Sequence, residues 1–166
     1  AIVLGARATA SSALAALGEL GIVTSTVAAR RFGGPGSVVA ASSRLGVSIE
    51  QVLWSDCDAV LRAVSAADLV ISTLPAGVAD PLAEEMTVRE GQVLLDVVYS
   101  PRETALRSAF ERNGGIVAEG TDMLIYQAAA QVQLMTGRSP KTDVMRGALE
   151  AELARRARVS GGGTAS

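Results

Sequence analysis

Short apolar runs alternate with stretches of helical spacing along most of the chain. The runs are continuous rather than alternating, and most stop at glycine, proline or a charged side chain. Continuous apolar runs of this length predict parallel strands that are covered by helices on both faces. Six strands are predicted: Ile2–Leu4, Ile22–Ala29, Val47–Leu53, Asp68–Thr73, Gly91–Val98 and Ile116–Ala118.

The intervening segments have the spacing and end signals of helices. Helices are predicted from near Thr9, over Val38–Leu45, over Cys57–Ala66 and over Pro101–Arg112, with a short helix after an Asp80 N-cap and Pro81 at its first position. Two more follow, from Asp122 to Gly137 and from a Ser139 cap with Pro140 to about Arg158. This order predicts an α/β fold, a doubly wound, Rossmann-like parallel sheet of about six strands with helices on both faces plus C-terminal helices.

We expect one domain over residues 1–158 and a disordered Gly- and Ser-containing tail over 159–166. The chain starts on a predicted core strand without Met. We therefore expect it to be part of a longer protein.

Composition narrows the function classes. Of the 166 residues 49% are hydrophobic and 3% aromatic, but no apolar run reaches the ~18 residues of a membrane span. A net charge of −2 gives no support for nucleic acid or a membrane surface as partner. The single Cys57 excludes an internal disulfide and suits a reducing cytoplasm. The absence of histidine excludes Ser-His-Asp and Cys-His chemistry within this chain and argues against a metal site.

The turn after the first strand is a candidate phosphate site. Strand, tight turn and helix open a mononucleotide-binding unit, whose helix N-terminus directs free N–H groups at phosphate. The usual G-x-G-x-x-G pattern keeps only Gly5 here, with Arg7 and Ala8 where glycines are expected. An ordinary strand-to-helix turn explains the pattern equally well.

The end of the second strand indicates the choice of cofactor. An acidic residue at this place holds the ribose of NAD, whereas arginine accommodates the 2′-phosphate of NADP. The chain has Arg30 and Arg31 there and no acid. The alternative is a solvated pair of surface arginines.

Polar residues near other strand ends could also serve a site. Asp96 lies in an apolar strand, where a structural role that bonds nearby backbone N–H groups is favoured over catalysis. Tyr99 could contact a substrate or cover the end of the core. Gln127 and Gln131 share a helix face, which suggests either a polar ligand or a bond between helices.

Two later segments carry a specific resemblance. LLDVVYSPRETAL and GTDMLIYQAAAQVQLMTGR resemble the C-terminal half of shikimate dehydrogenase, with its aspartate-x-x-Tyr-x-Pro and Gly-x-x-Met-Leu-x-x-Gln-Ala motifs. VLGARATASSALAALGELG and STLPAG are similar to the family's glycine-loop and fourth-strand segments. The resemblance covers residues 1–153.

The resemblance implies an NADP-binding domain. By position, the residues implied to bind NADP are Gly5, Ala6, Arg7, Ala8, Thr9, Arg30, Arg31, Thr73, Val97, Gly120 and Met123. Tyr99 and Gln127 are implied to contact shikimate. In the complete enzyme NADPH would reduce 3-dehydroshikimate to shikimate, with quinate or a related polyol acid as an alternative substrate.

The chain departs from the family in two ways. The family's loop is Gly-Ala-Gly-Gly-(Thr/Ala), so Arg7 and Ala8 are expected to strain the backbone by ~1 kcal/mol or more and to weaken NADPH binding. The family's catalytic Lys-Asp pair belongs to an N-terminal domain with no counterpart in these residues. We therefore expect no catalytic residue here, substrate binding only together with that domain, and an apolar surface that favours self-association, for example as a homodimer. The alternative is a degenerate, Rossmann-like structural or interaction module.

Overall fold

The computed structural model describes residues 1–34 and 36–161, and the chain divides into two compact units, Ala1–Glu119 and Gly120–Ser166. The first unit holds every strand of the described residues and five of their helices. The second unit holds two helices.

The first unit is built on one sheet of six parallel strands. The strands are β1 (Ile2–Leu4), β2 (Thr24–Ala29), β3 (Ser48–Leu53), β4 (Leu69–Ser72), β5 (Val93–Asp96) and β6 (Ile116–Glu119). Their order across the sheet is β3-β2-β1-β4-β5-β6, so the direction of winding reverses between β1 and β4. In such sheets ligands bind beyond the C-terminal strand ends at the reversal point.

Helices cover both faces of this sheet, as the apolar runs predict. The helices are α1 (Ala8–Glu19), α2 (Val38–Leu45), α3 (Cys57–Ala66), α4 (Asp80–Glu85) and α5 (Ala105–Arg112). Successive residues of β1 point to opposite faces, because Ile2 and Leu4 join one buried cluster and Val3 joins the other. Buried residues of α1 and α2 belong to the Val3 cluster, and those of α3, α4 and α5 to the Ile2 cluster. The predicted fold class is therefore confirmed.

The second unit consists of α6 (Gly120–Thr136) and α7 (Thr142–Gly161). An ion pair between Arg146 and Asp122 joins the two helices. Within the described part of the chain, no helix has both the length and the apolar character needed to cross a membrane.

Four predicted helix starts are wrong, and three of them were based on a proline. Helix α6, the fourth, begins at Gly120 rather than at Asp122. Helix α4 begins at Asp80 itself, with Ala79 as its N-cap and Pro81 one position later than predicted. Helix α5 begins at Ala105, four residues beyond Pro101, because the Thr104 hydroxyl accepts from Arg107 N at 3.1 Å and caps the first turn. Helix α7 begins at Thr142 rather than at Pro140.

The C-terminal boundary is also later than predicted. Helix α7 continues to Gly161, so the first three residues assigned to a disordered tail are helical. Residues 162–166 of that tail lie outside the described residues. The single domain over 1–158 stays a prediction.

Candidate functional site

The turn after β1 depends on Gly5. This residue has φ +113°, and its N–H donates to Ala28 O at 2.8 Å. The Thr73 hydroxyl and the Thr73 N–H both donate to Leu4 O at 2.8 Å. A Cβ at position 5 would lie 2.3 Å from Thr73 Oγ1. Only glycine lets the end of β1 pass this close to the end of β4.

The loop from Ala6 to Ala8 carries no backbone strain of the expected kind. Arg7 is the N-cap of α1 with extended dihedrals, φ −102° and ψ −165°, and Ala8 is the first helical residue. Among the residues that the structure describes, no non-glycine residue has a positive φ. The strain expected at these non-glycine positions was therefore wrong, because the left-handed conformation falls on Gly5.

The N-terminus of α1 is open to a ligand. Arg7 makes no side-chain capping bond, and the first turn contains no acidic residue. Arg7, Ala8 and Thr9 are exposed. The first N–H groups of a helix have no acceptor within the helix, so an anion here would meet both free donors and the positive end of the helix dipole.

A cleft of about 770 Å³ opens beside this turn, a volume in the usual range for small-molecule sites. It lies at the C-terminal ends of β1 to β4, across the point where the strand order reverses. The described residues that line it are Gly5, Ala6, Arg7, Ala29, Arg30, Arg31, Phe32, Gly33, Gly34, Ser37, Leu53, Trp54, Thr73, Leu74, Pro75 and Val78.

The charge of the cleft is entirely positive among its described residues. Arg7, Arg30 and Arg31 line it, and no acidic residue does. All three arginines are exposed, and within the described structure none of their side chains forms a hydrogen bond or an ion pair. A guanidinium group can hold a phosphate with two parallel hydrogen bonds. The cleft is therefore suited to a ligand that carries phosphate groups.

Comparison with known proteins gives this cleft a family context. The family model described as shikimate 5'-dehydrogenase C-terminal domain matches residues 120–150. The shikimate dehydrogenase (NADP(+)) of Moorella thermoacetica is 35% identical over 151 residues, which are 87% of this chain and 50% of that protein. The crystal structure of Mycobacterium tuberculosis shikimate dehydrogenase is 37% identical, with a TM-score of 0.77 over 90% of this chain and 56% of that one.

The chain belongs to the shikimate dehydrogenase family. It aligns with the C-terminal, NADP-binding half and spans about half the length of the curated relatives it matches. Another structural homologue is the shikimate 5-dehydrogenase of Thermus thermophilus, 27% identical with a TM-score of 0.67 over 94% of this chain and 54% of that chain. That enzyme was crystallised in complex with NADP(H) and shikimate.

The cleft brings together six of the residues that the shikimate dehydrogenase resemblance implies for NADP: Gly5, Ala6, Arg7, Arg30, Arg31 and Thr73. Ala8 and Thr9 follow in the first turn of α1. Val97 comes directly after β5, where its N–H donates to Ser72 O at 3.1 Å. Cofactor contact by each of these residues stays a prediction.

The remaining residues of the family motif lie outside the described lining of the cleft. Gly120 and Met123 are in the first turn of α6, and Gln127 is exposed one turn further on. Tyr99 is 44% exposed after β5 in the first unit. Their roles toward nicotinamide and shikimate stay predictions.

Asp96 has the structural role that the sequence favours. Its carboxylate accepts from Val98 N at 3.2 Å and from Thr104 Oγ1 at 2.7 Å. Because Thr104 also caps α5, the buried carboxylate fixes the chain between β5 and that helix. The backbone-bonding role is confirmed, and the bond to a capping hydroxyl adds to it.

Among the cleft residues that sequence reasoning missed are Ser37, Leu53, Trp54 and Val78. Leu53 and Trp54 come at the end of β3, a strand end for which the sequence predicts no site residue. Ser37 directly precedes the apolar start of α2, which is the sequence position of an N-cap. That signal could have placed Ser37 at the strand-end edge of the sheet.

Proposed function

We propose that this chain is the NADP-binding part of a shikimate dehydrogenase and that its cleft holds NADP(H). The observation that carries the proposal is the charge of the cleft: Arg7, Arg30 and Arg31 line it, and no acidic residue does among those described. The cleft also lies at the reversal point of the sheet. Its position is the one where doubly wound sheets bind dinucleotides. Family membership supports the same cofactor class.

The phosphate groups of the cofactor would each have a partner in this arrangement. The pyrophosphate would lie at the N-terminus of α1, where Arg7 adds a positive charge to the free N–H groups. The 2′-phosphate would lie beside Arg30 and Arg31 at the end of β2, and Thr73 would border the cofactor at the end of β4. When bound, the cofactor supplies the hydride, and the chain's own residues hold and orient it.

The proposed reaction is the NADPH-dependent reduction of 3-dehydroshikimate to shikimate. Reduction of a ketone needs a proton as well as a hydride, and the family resemblance assigns proton transfer to a Lys-Asp pair outside these residues. From this chain, Tyr99 and Gln127 are proposed to contact the substrate. We therefore expect these 166 residues alone to bind NADPH without reducing 3-dehydroshikimate.

A second candidate is a structural or interaction module that no longer binds nucleotide. The loop favours it, since Arg7 and Ala8 replace residues whose lack of a side chain lets phosphate approach the backbone. The two candidates differ in whether the cleft binds NADPH.

Titration of the full chain with NADPH, followed residue by residue through amide NMR signals, separates them. We expect the amides of Gly5, Arg7 and Arg30 to shift, together with that of Thr73. Gly91, which precedes the N-terminal end of β5 and so lies away from the C-terminal strand ends that border the cleft, serves as an internal control that stays unchanged. Absence of shifts in the cleft at millimolar NADPH would contradict the proposed function and support the second candidate.

A further inference from the structure

Ser37 is a buried polar residue of the cleft that the family motifs do not use. It is the N-cap of α2 and only 6% exposed, and it lines the cleft. Within the described residues its hydroxyl has no hydrogen-bond partner, although serine at an N-cap usually accepts from the first turn. The same part of the structure contains no side-chain oxygen or nitrogen that is both sealed from solvent and unbonded, so Ser37 Oγ keeps access to solvent, and Ser37 lines the cleft.

The surroundings of Ser37 favour a negatively charged ligand. The Val38 N–H donates to Ala6 O at 3.3 Å, so the start of α2 lies against the loop that opens α1. Two helix N-termini therefore face the same cleft, and neither has a side-chain cap or an acidic residue in its first turn. Gly33 and Gly34 leave the approach free, because a Cβ at either position would have no neighbour within 4 Å.

We propose that the Ser37 hydroxyl donates a hydrogen bond to a phosphate monoester of the cofactor, the 2′-phosphate of NADP(H). The inference rests on the proposed function and adds a residue that selects between cofactors. A phosphate monoester carries close to two negative charges at neutral pH, whereas each phosphate of the pyrophosphate carries one. Arg30, Arg31 and the positive end of α2 together match the more highly charged group.

Binding of NADPH and NADH to the full chain and to two variants, measured by calorimetry, tests this inference. Ser37→Ala and Ser37→Gly both remove the hydroxyl, and the glycine variant keeps a residue that is well tolerated at an N-cap. We expect both to weaken NADPH about tenfold and to leave NADH unchanged, since a hydrogen bond to a charged group is lost. Ser43→Ala is the matched control, because Ser43 is exposed on the same helix and bonds only locally, to Val39 O.

Two fragments of the cofactor sharpen the assignment. 2′-AMP carries the monoester at the proposed position, and 5′-AMP carries it at the other end of the ribose. The Ser37 variants should weaken 2′-AMP and not 5′-AMP. Equal weakening of NADPH and NADH, or unchanged NADPH binding, would overturn the inference while the proposed function stands. Failure of the unmodified chain to bind NADPH would overturn both.

Discussion

At the scale of single residues, Gly5 controls the geometry of the cleft. Its φ of +113° turns the chain out of β1, and its missing side chain leaves room for the Thr73 hydroxyl on Leu4 O. The same contact joins the two strands between which the sheet reverses. Of the glycines expected in the loop after β1, the sequence has only Gly5, and position 5 is where this backbone requires glycine.

Replacement of Gly5 with alanine should destabilise the fold by about 2 kcal/mol or more, since a strained φ and a steric overlap add. The overlap is the 2.3 Å approach of the new Cβ to Thr73 Oγ1. Gly21→Ala is the matched control, because Gly21 has φ +84° but no neighbour within 4 Å. Its expected cost is about 1 kcal/mol from strain alone. Urea unfolding measures the free energy of unfolding of both variants, and equal losses of stability would show that the steric overlap at position 5 is absent.

Arg7 and Ala8 determine how closely a pyrophosphate can approach α1. Hydrogen bonds from backbone N–H groups need phosphate oxygens within about 3 Å. The side chains of Arg7 and Ala8 obstruct a phosphate that comes this close to the backbone. The charge of Arg7 acts in the opposite direction, but an exposed ion pair contributes only ~0–1 kcal/mol. We expect the double replacement Arg7→Gly with Ala8→Gly to strengthen NADPH binding at least tenfold.

Calorimetry on the unmodified chain and on the double variant measures this difference. Arg7→Ala is the control that removes the charge and the long side chain while keeping a Cβ at both positions. If the unmodified chain binds NADPH as tightly as the double variant, Arg7 is itself a phosphate ligand and the steric argument fails.

At the scale of elements, Gln92 joins α3 to the start of β5. Its side chain is 2% exposed, and its Nε2 donates to Val64 O and to Ala67 O, each at 2.6 Å. Its Oε1 accepts from Arg89 N at 3.2 Å. One amide thus satisfies three backbone groups where the chain leaves the helix and where it enters the strand.

Gln92→Leu should destabilise the fold by about 2 kcal/mol, because Arg89 N loses its acceptor, whereas Val64 O and Ala67 O each lose one donor and keep another. Gln51→Leu is the control: Gln51 is exposed on the outer strand β3, and its replacement should change stability by less than about 0.5 kcal/mol. Chemical unfolding checks both. A Gln92→Leu variant as stable as the Gln51 control would contradict the bridging role.

Element types were predictable from the sequence, whereas several boundaries were not. Helices α2 and α3 have the predicted limits, and a residue type typical of N-caps, Ser37 or Asp56, stands directly before each of them. Pro101 and Pro140 misplaced α5 and α7, because proline tolerates the first helical position but does not require it. For α5 the deciding contact is the Thr104 cap, which Asp96 holds from a strand eight residues earlier in the chain.

At the scale of the whole first unit, strand order determines which candidate residues meet. Gly5, Arg30 and Thr73 are far apart in sequence but end three neighbouring strands, so a parallel sheet predicted their convergence. Trp54 escaped prediction because its place in the lining depends on the path of the chain after β3. The pattern of apolar residues does not encode that path.

We propose that the cleft recognises a dinucleotide through its phosphates. The most direct test compares NADPH and NADH affinities for the unmodified 166-residue chain by titration calorimetry. We predict that NADPH binds more tightly and that Arg30→Gln removes most of the difference, because the guanidinium of Arg30 has no competing partner among the described residues. Equal affinities of the unmodified chain for both cofactors, or binding of neither, would contradict the account.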